Sequence, residues 1–347
     1  MKLTVLAYLL LTCFVAHTKT RIDTLTIIKT GQPCSIRGIS IAGDGLIWLS
    51  GSNGHVARST DAGKNWQWMV VKGYEKTDFR DIHAFDSTTA IIMGVDNPAY
   101  ILKTKDGGQT WKLVYTKTMT GMFLDALDFR NEKEGICIGD PIDAGGGKKM
   151  FFVLRTMDGG DTWEPELSEK LQVALEGEAV FSASGTNIAL LDNKDFDYTF
   201  ISGGLASSLY LIGRNGKPDK VYPLRMNKGK ESSGAFSMAT EGGRKFYCIG
   251  GDYKDPEAVK GNFVWTTDNG KSWKTPDKAP PSGYRSCIRI IEGSRLVACG
   301  SNGVDMCRKP NKWKRISTES FNVCMVSPDK KLIFFAGEKG RIGLLRL

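Results

Sequence analysis

Four stretches of the chain bring Ser or Thr, Asp, Gly and Trp together at fixed offsets. They are STDAGKNW at 59–66, TKDGGQTW at 104–111, TMDGGDTW at 156–163 and TTDNGKSW at 266–273. A hydroxyl two residues before a carboxylate could serve acid–base or ligand chemistry. A second set of charged residues is scattered singly: Arg37, Arg80 beside Asp81, Asp125, Glu178, and Arg285 beside Ser286. Arginine binds carboxylates through paired hydrogen bonds, so three arginines gathered at one place would recognise an anion. Which set carries chemistry depends on the elements that position it.

The first set reads as turns. Asp accepts backbone N–H groups of its own turn, Ser or Thr adds a local bond, and Gly supplies positive φ. Trp can then fold back and bury its ring. Asp61, Asp106, Asp158 and Asp268, with Trp66, Trp111, Trp163 and Trp273, are therefore expected to be structural. The aspartates are spaced by 45, 52 and 110 residues, and the doubled last gap marks a unit that has lost the motif. LYLIGRNGKPDKVYPL at 209–224 fills that place with a turn, and Trp313 marks another decayed copy.

An apolar run ending in Gly precedes most copies: IWLSG (47–51), AIIMG (90–94), GICIG (135–139), YCIGG (247–251), LVACG (296–300) and IFFAG (333–337). NIALLD (187–192) is assigned to that slot in the fourth unit. Before each run lies an alternating segment: RGISI, RDIHAF, LDALDF, EAVFSAS, GAFSMA, YRSCIRI and FNVCMVS. Seven units of three or four short strands at this period predict an all-β, single seven-bladed β-propeller. DTLTIIKTG (23–31) precedes the first unit, and the last unit runs out after two strands. This N-terminal strand is expected to close the ring and remove an open edge.

The motif [ST]-x-D-x-G-x-x-W is similar to the Asp-box, the bacterial neuraminidase repeat. That resemblance implies a turn between the outer strands of each blade. Propellers tend to work where the innermost strands begin, at one mouth of the central channel. Aligning the seven inner strands places Arg37, Arg80 with Asp81, Asp125, Glu178, Ser233, Arg285 with Ser286, and Asn322 there. Three Arg and three carboxylates could neutralise one another or bind a polar, anionic ligand. Loops add Asp140 and Asp143 from GDPIDAGGGKK, Glu176 from LEGEAVFSASG, and Asp252, Tyr253 and Lys254 from GGDYKDPEAVKG. The glycines after Asp143 lead into an apolar strand, whereas a phosphate cradle needs a helix N-terminus.

Sialidases also carry Asp-boxes, and they bind a carboxylate through three arginines. They further require a Tyr/Glu nucleophile pair, an acid/base Asp and an Arg-Ile-Pro start, and they have six blades. This chain lacks Arg-Ile-Pro; FRD at 79–81 and FRN at 129–131 are the nearest echoes, and Tyr284 precedes Arg285. Paired glycosidase carboxylates must stand about 5–5.5 Å apart in retaining enzymes. RGIS, DFRDIHAFD, GDPID, LEGEAVFSASG, GGDYKDPE and GYRS, joined to the boxes, more closely resemble the photosystem II stability/assembly factor-like family. This resemblance covers about residues 30–347. It implies a scaffold that binds a partner through an Arg-rich face. The family is often labelled oxidoreductase, yet no G-x-G-x-x-G opens a helix here, and no cofactor is expected.

Composition narrows the partners. Among 347 residues, 47 are basic and 38 acidic, a net charge of +9. The densest basic cluster is only RKPNKWKR at 308–315, so nucleic acid is not an expected partner. MKLTVLAYLLLTCFVAHTKT reads as an export signal over 1–19, with the propeller over 21–347. LLTC resembles a lipobox, with Thr12 where a smaller residue is usual, and would anchor the chain through Cys13. No later run is long enough to span a membrane. Seven cysteines follow the leader, in strand-like surroundings where Cys acts as a small hydrophobe. No CxxC occurs and His is scarce, so no metal site is expected.

The sequence thus predicts an exported, monomeric, non-enzymatic binding or assembly module. A protein partner or a polar, anionic ligand would sit at the Arg/acid-lined mouth. The alternative is a glycan-active hydrolase or lectin related to Asp-box glycosidases.

Overall fold

A computed structural model describes residues 24–95, 97–166, 172–214, 217 and 219–347. The leader and Cys13 lie outside the described residues. Seven antiparallel sheets follow one another around a central axis. Their inner strands are Ile36–Ile41, Phe79–Ala84, Leu124–Phe129, Ile188–Leu190, Ser233–Glu241, Cys287–Glu292 and Val323–Val326, which define blades 1 to 7. Five blades have four strands in sequence order, blade 7 takes its fourth from the N-terminus, and the fourth strand of blade 5 shrinks to a bridge between Trp265 and Lys274.

The second strand of each blade is buried on both faces, because neighbouring blades cover it from either side. Ile47–Gly51 and Ala90–Gly94 are buried at every residue. This explains why those segments are continuous apolar runs rather than alternating ones. Each fully buried Ile, Leu or Phe contributes roughly 1.5–3 kcal/mol.

Ring closure is as the sequence predicts. Thr26–Lys29 forms the outer strand of blade 7, pairing Thr26 with Leu344 and Ile27 with Gly343. At the hub, polar side chains stitch one inner strand to the next. Ser40 Oγ accepts Ala84 N at 3.0 Å, Asp81 Oδ2 accepts Leu127 N at 2.8 Å, and Asp128 Oδ2 accepts Leu190 N at 2.8 Å. Ser237 Oγ accepts Ile288 N at 2.9 Å, and Asn322 Nδ2 donates to Ile36 O at 2.9 Å across the closure.

The boxes are blade joints. Thr104 Oγ1 donates to Asp106 Oδ1 at 2.8 Å, and the same Asp oxygen accepts Thr110 N at 2.9 Å. Equivalent bonds form around Asp61, Asp158 and Asp268. In each copy the residue after Asp donates its amide to the hairpin joining the first two strands of the same blade. These bonds are Ala62 to Gly45, Gly107 to Thr88, Gly159 to Lys133 and Asn269 to Arg244. The motif Gly then presses on the preceding blade: a Cβ at Gly160 would lie 2.2 Å from Ile91, and one at Gly270 2.6 Å from Tyr222. Trp111 follows suit, edge-on to Trp48 of blade 1.

The decayed copies are covered differently. Trp313 keeps the bond from its indole to the carbonyl three residues back, at 3.1 Å, as Trp66 does at 3.0 Å. Blade 4 has neither box nor Trp. There Asp197 takes Arg130 at 2.7 Å, Arg214 at 3.1 Å and also Arg155, tying blade 4 to blade 3 through charge.

One unit departs from the sequence reading. NIALLD supplies the inner strand of blade 4, not its second strand, and EAVFSAS supplies no strand of blade 4. Glu178–Ala179 instead pairs with Gly203–Gly204, which in turn meets Gly234 of blade 5. The fourth unit lost its box; its true second strand, Phe196–Ile201, still runs into Gly203, but without a box after it the sequence register falls on NIALLD instead.

Candidate functional site

The displaced segment 181–187 crosses the hub. Ser182 Oγ accepts Arg80 of blade 2 at 3.1 Å, and Ala183 O accepts Arg37 of blade 1 at 3.3 Å. Ser184 Oγ donates to Ser286 O of blade 6 at 2.7 Å, and Thr186 Oγ1 donates to Ser237 Oγ of blade 5 at 2.5 Å. Contacts with four blades other than its own make it a plug. Small residues suit it: a Cβ at Gly185 would fall 2.2 Å from the Asp81 carboxylate.

On one side of the plug lie the two arginines. Arg80 Nε pairs with Asp78 at 2.8 Å, whereas Arg37 forms no ion pair among the described residues. Burial, then the nearby Arg80, lowers the Arg37 pKa, opposed by Tyr284, Asp78 and Glu338. An aromatic wall stands beside them. Phe181 stacks on Phe236 at 3.9 Å, and Phe236 meets Tyr284 and Tyr253 edge-on at 4.9 and 6.2 Å. Tyr253 is 48% exposed, while Tyr284 is buried within electrostatic reach of both arginines. Burial raises the Tyr284 phenol well above its ordinary range, so it stays a neutral hydroxyl.

Asp125 lies beneath Arg80, fully buried, with the backbone of Ser182 its one hydrogen-bonding neighbour among the described residues. Burial pushes its pKa well up, Asp140 adds to this, and Arg80 opposes it. Asp140 accepts Val180 N at 2.9 Å and is raised to about 6 by burial.

On the other side of the plug is a cavity of about 390 Å³. Asp81, Asp128, His83 and Arg289 line it together with Gly185 and Thr186 of the plug. Burial raises Asp81 to about 8 and Asp128 to about 6, and lowers His83 to about 4.

The remaining sequence candidates lie elsewhere. Arg285 does not face the mouth: it is fully buried and paired to Asp305 inside blade 6, with Nε to Oδ2 at 2.8 Å. Ser286 is buried and donates to Asn322 O at 2.6 Å, a hub stitch. Glu178 is buried against blade 4, where it accepts Tyr210 at 2.8 Å and Leu175 N at 2.8 Å. Ser233 bonds Lys230 O at 3.0 Å, and Asp252 is buried against Lys230 at 2.9 Å. Asp143 caps its own turn through Gly145 N at 2.8 Å, and Glu176 and Lys254 are exposed. Arg37 and Arg80 therefore share one plug with Asp125 beneath, while Asp81 and Glu178 have no partner in common.

Asp78, Phe181, Phe236, Asp128 and Arg289 are absent from the sequence candidates. Asp78 stands two residues before Arg80, outside the aligned strand, and Phe181 was absorbed into the misassigned strand. Arg289 continues the alternation of Cys287 on an inner strand, a signal that the alignment of strand starts ignores.

No known protein-family profile matches the chain, and no curated protein matches it. Among solved structures it is similar to YCF48 bound to a D1 peptide, with a TM-score of 0.63 at 14% identity, over 94% of this chain and 97% of that one. YCF48 from Cyanidioschyzon merolae gives 0.62 at 12% identity, over 93% and 99%. A catalytically inactive virginiamycin B lyase from Staphylococcus aureus, with quinupristin, gives 0.59 at 15% identity, over 93% and 99%. These likenesses establish the propeller fold.

Proposed function

We propose that the chain is a non-enzymatic binding module that seats a carboxylate-bearing protein segment on the Arg37–Arg80 mouth. The observation that carries this reading is Arg37, a part-buried guanidinium beside a second arginine, with no carboxylate of its own among the described residues. A carboxylate placed there would gain charge-assisted hydrogen bonds without displacing an existing ion pair. The wall of Phe181, Phe236, Tyr253 and Tyr284 would take an apolar or aromatic side chain next to it. One of the YCF48 structures holds a peptide, which supports a peptide as the class of ligand. An export signal over 1–19, as the sequence reads, would put the partner outside the cytoplasm.

A glycosidase needs two carboxylates across one bond. Asp81 lies below the plug and Glu178 is committed to Tyr210, so the geometry favours binding over hydrolysis. Fluorescence anisotropy against paired peptides, with a free or an amidated C-terminus and with or without internal Asp and Glu, tests the proposal. Preference for the carboxylate forms, lost in Arg37→Ala, is expected. Indifference to both features, or turnover of a fluorogenic glycoside panel, would overturn it.

A further inference from the structure

Cys287 and Cys299 stand directly opposite each other on the first two strands of blade 6. Cys324, on the inner strand of blade 7, faces them from the neighbouring blade, with Sγ to Sγ of Cys287 at 3.8 Å. All three sulfurs lie within 4.8 Å of one another, and all three residues are wholly buried. No other group of three or more His, Cys, Asp or Glu side chains among the described residues converges in this way.

We propose that these three cysteines form a binding site for a soft, monovalent thiophilic metal ion, Cu(I). Zinc–thiolate bonds are about 2.3 Å long, and a planar trigonal site with bonds of that length sets its sulfurs about 4 Å apart. The observed spacing meets that requirement with little movement. A set made only of sulfur selects soft cations over oxygen-loving ones. Zinc prefers four ligands, and no fourth His, Cys, Asp or Glu among the described residues joins this group. A disulfide fits less well: it needs sulfurs at about 2.05 Å and would leave the third thiol without a use.

Two arginines stand near the sulfurs. Arg289 lies within electrostatic reach of Cys287, and Arg285 within reach of Cys299. On binding, each S–H bond that breaks is replaced by a sulfur–metal bond, and its proton passes to solvent. Nothing is oxidised or reduced, because the metal enters as Cu(I). The bound ion would staple blade 6 to blade 7.

The test is anaerobic titration of the whole chain with Cu(I) against a chromophoric chelator, followed by X-ray absorption on the loaded wild type. One Cu(I) per chain, a first shell of three sulfurs and a raised thermal midpoint are expected. Cys287→Ser, Cys299→Ser and Cys324→Ser should each weaken binding by more than the ~10–100-fold that loss of a supporting residue costs. Cys248→Ser and Cys307→Ser, outside the cluster, should bind as wild type does. The absorption spectrum of the wild type keeps the proposal falsifiable if a cysteine variant does not fold. Failure to compete with the chelator, a shell without three sulfurs, preference for zinc, or a disulfide within the trio of the folded protein would overturn it.

Discussion

The Nε of Arg285 donates to Asp305 Oδ2 at 2.8 Å, and neither side chain is exposed to solvent. The same carboxylate accepts the amide and the hydroxyl of Ser282, each at 2.8 Å. Such a network holds the entrance of blade 6 and leaves Arg285 nothing to offer a ligand. Arg285→Met should strand the Asp305 charge and cost about 3–5 kcal/mol. The double variant with Asp305→Leu should recover much of that loss. Denaturant unfolding of the two variants measures both.

Arg37 and Arg80 should behave in the opposite way. Each hydrogen bond to a charged group is worth about 1.5–3 kcal/mol, so removing either arginine should weaken binding of an acidic or free-ended peptide about 10–100-fold. Stability should change little at Arg37, whose one hydrogen bond among the described residues is a 3.3 Å contact to Ala183 O. Arg37→Lys should recover only part of the affinity, because a point charge replaces a planar fork. Isothermal titration at two salt concentrations checks the fold-change and its electrostatic origin.

The hub and the box turns should respond to pH in opposite senses. Asp81 and Asp128 are raised by burial from 3.8 to about 8 and about 6. Between those limits the folded chain keeps protons the unfolded chain has lost, so their contribution to stability falls as pH rises. The box aspartates are held down to about 2, Asp106 by the hydroxyl and amide of Thr110 and Asp61 by Asn65. Their contribution is present above the ordinary carboxylate pKa and is lost as pH falls toward 2. Asp81→Asn should flatten the decline above pH 4 (about the ordinary carboxylate pKa) and leave the acid limb intact. Asp106→Asn should weaken the acid limb alone. Thermal midpoints across pH give both slopes.

The joint role of the boxes is testable with one methyl group. Gly160 has φ +81° and faces Ile91, whereas Gly146 has φ +63° and nothing within 4 Å of a Cβ. Both Gly→Ala changes carry the left-handed penalty of about 1–2 kcal/mol. Only Gly160→Ala should add an overpacking cost of about 1–3 kcal/mol. A difference in unfolding free energy between the two variants is the readout; equal losses would remove the joint.

The blades were legible because three independent marks agree in most units: the box, the Gly-ended strand and the alternating segment before it. Ring closure by residues 26–29 followed from an unpaired strand at each end of the count. Blade 4 lacks the box, although its second strand still runs into Gly203, and its inner strand was read one strand too early. That error placed Glu178 in the mouth and hid the plug. Arg285 was misplaced for another reason: residues at the start of an inner strand can turn into the blade as readily as into the channel, and its partner Asp305 lies two strands away. Spacing rules also missed the three-cysteine cluster, because its members come from three strands of two blades.

The pairing of Thr26 with Leu344 has a consequence for how the molecule is made. Blade 7 cannot be finished until its last strand, Ile342–Arg346, is available to receive Thr26–Lys29. Closing a loop almost as long as the chain is entropically costly and slow. The first strand is therefore expected to pair late, after contacts local to each blade have formed. Its exposed N–H and C=O groups during that interval are where a chaperone, or a second unfinished copy, would take hold.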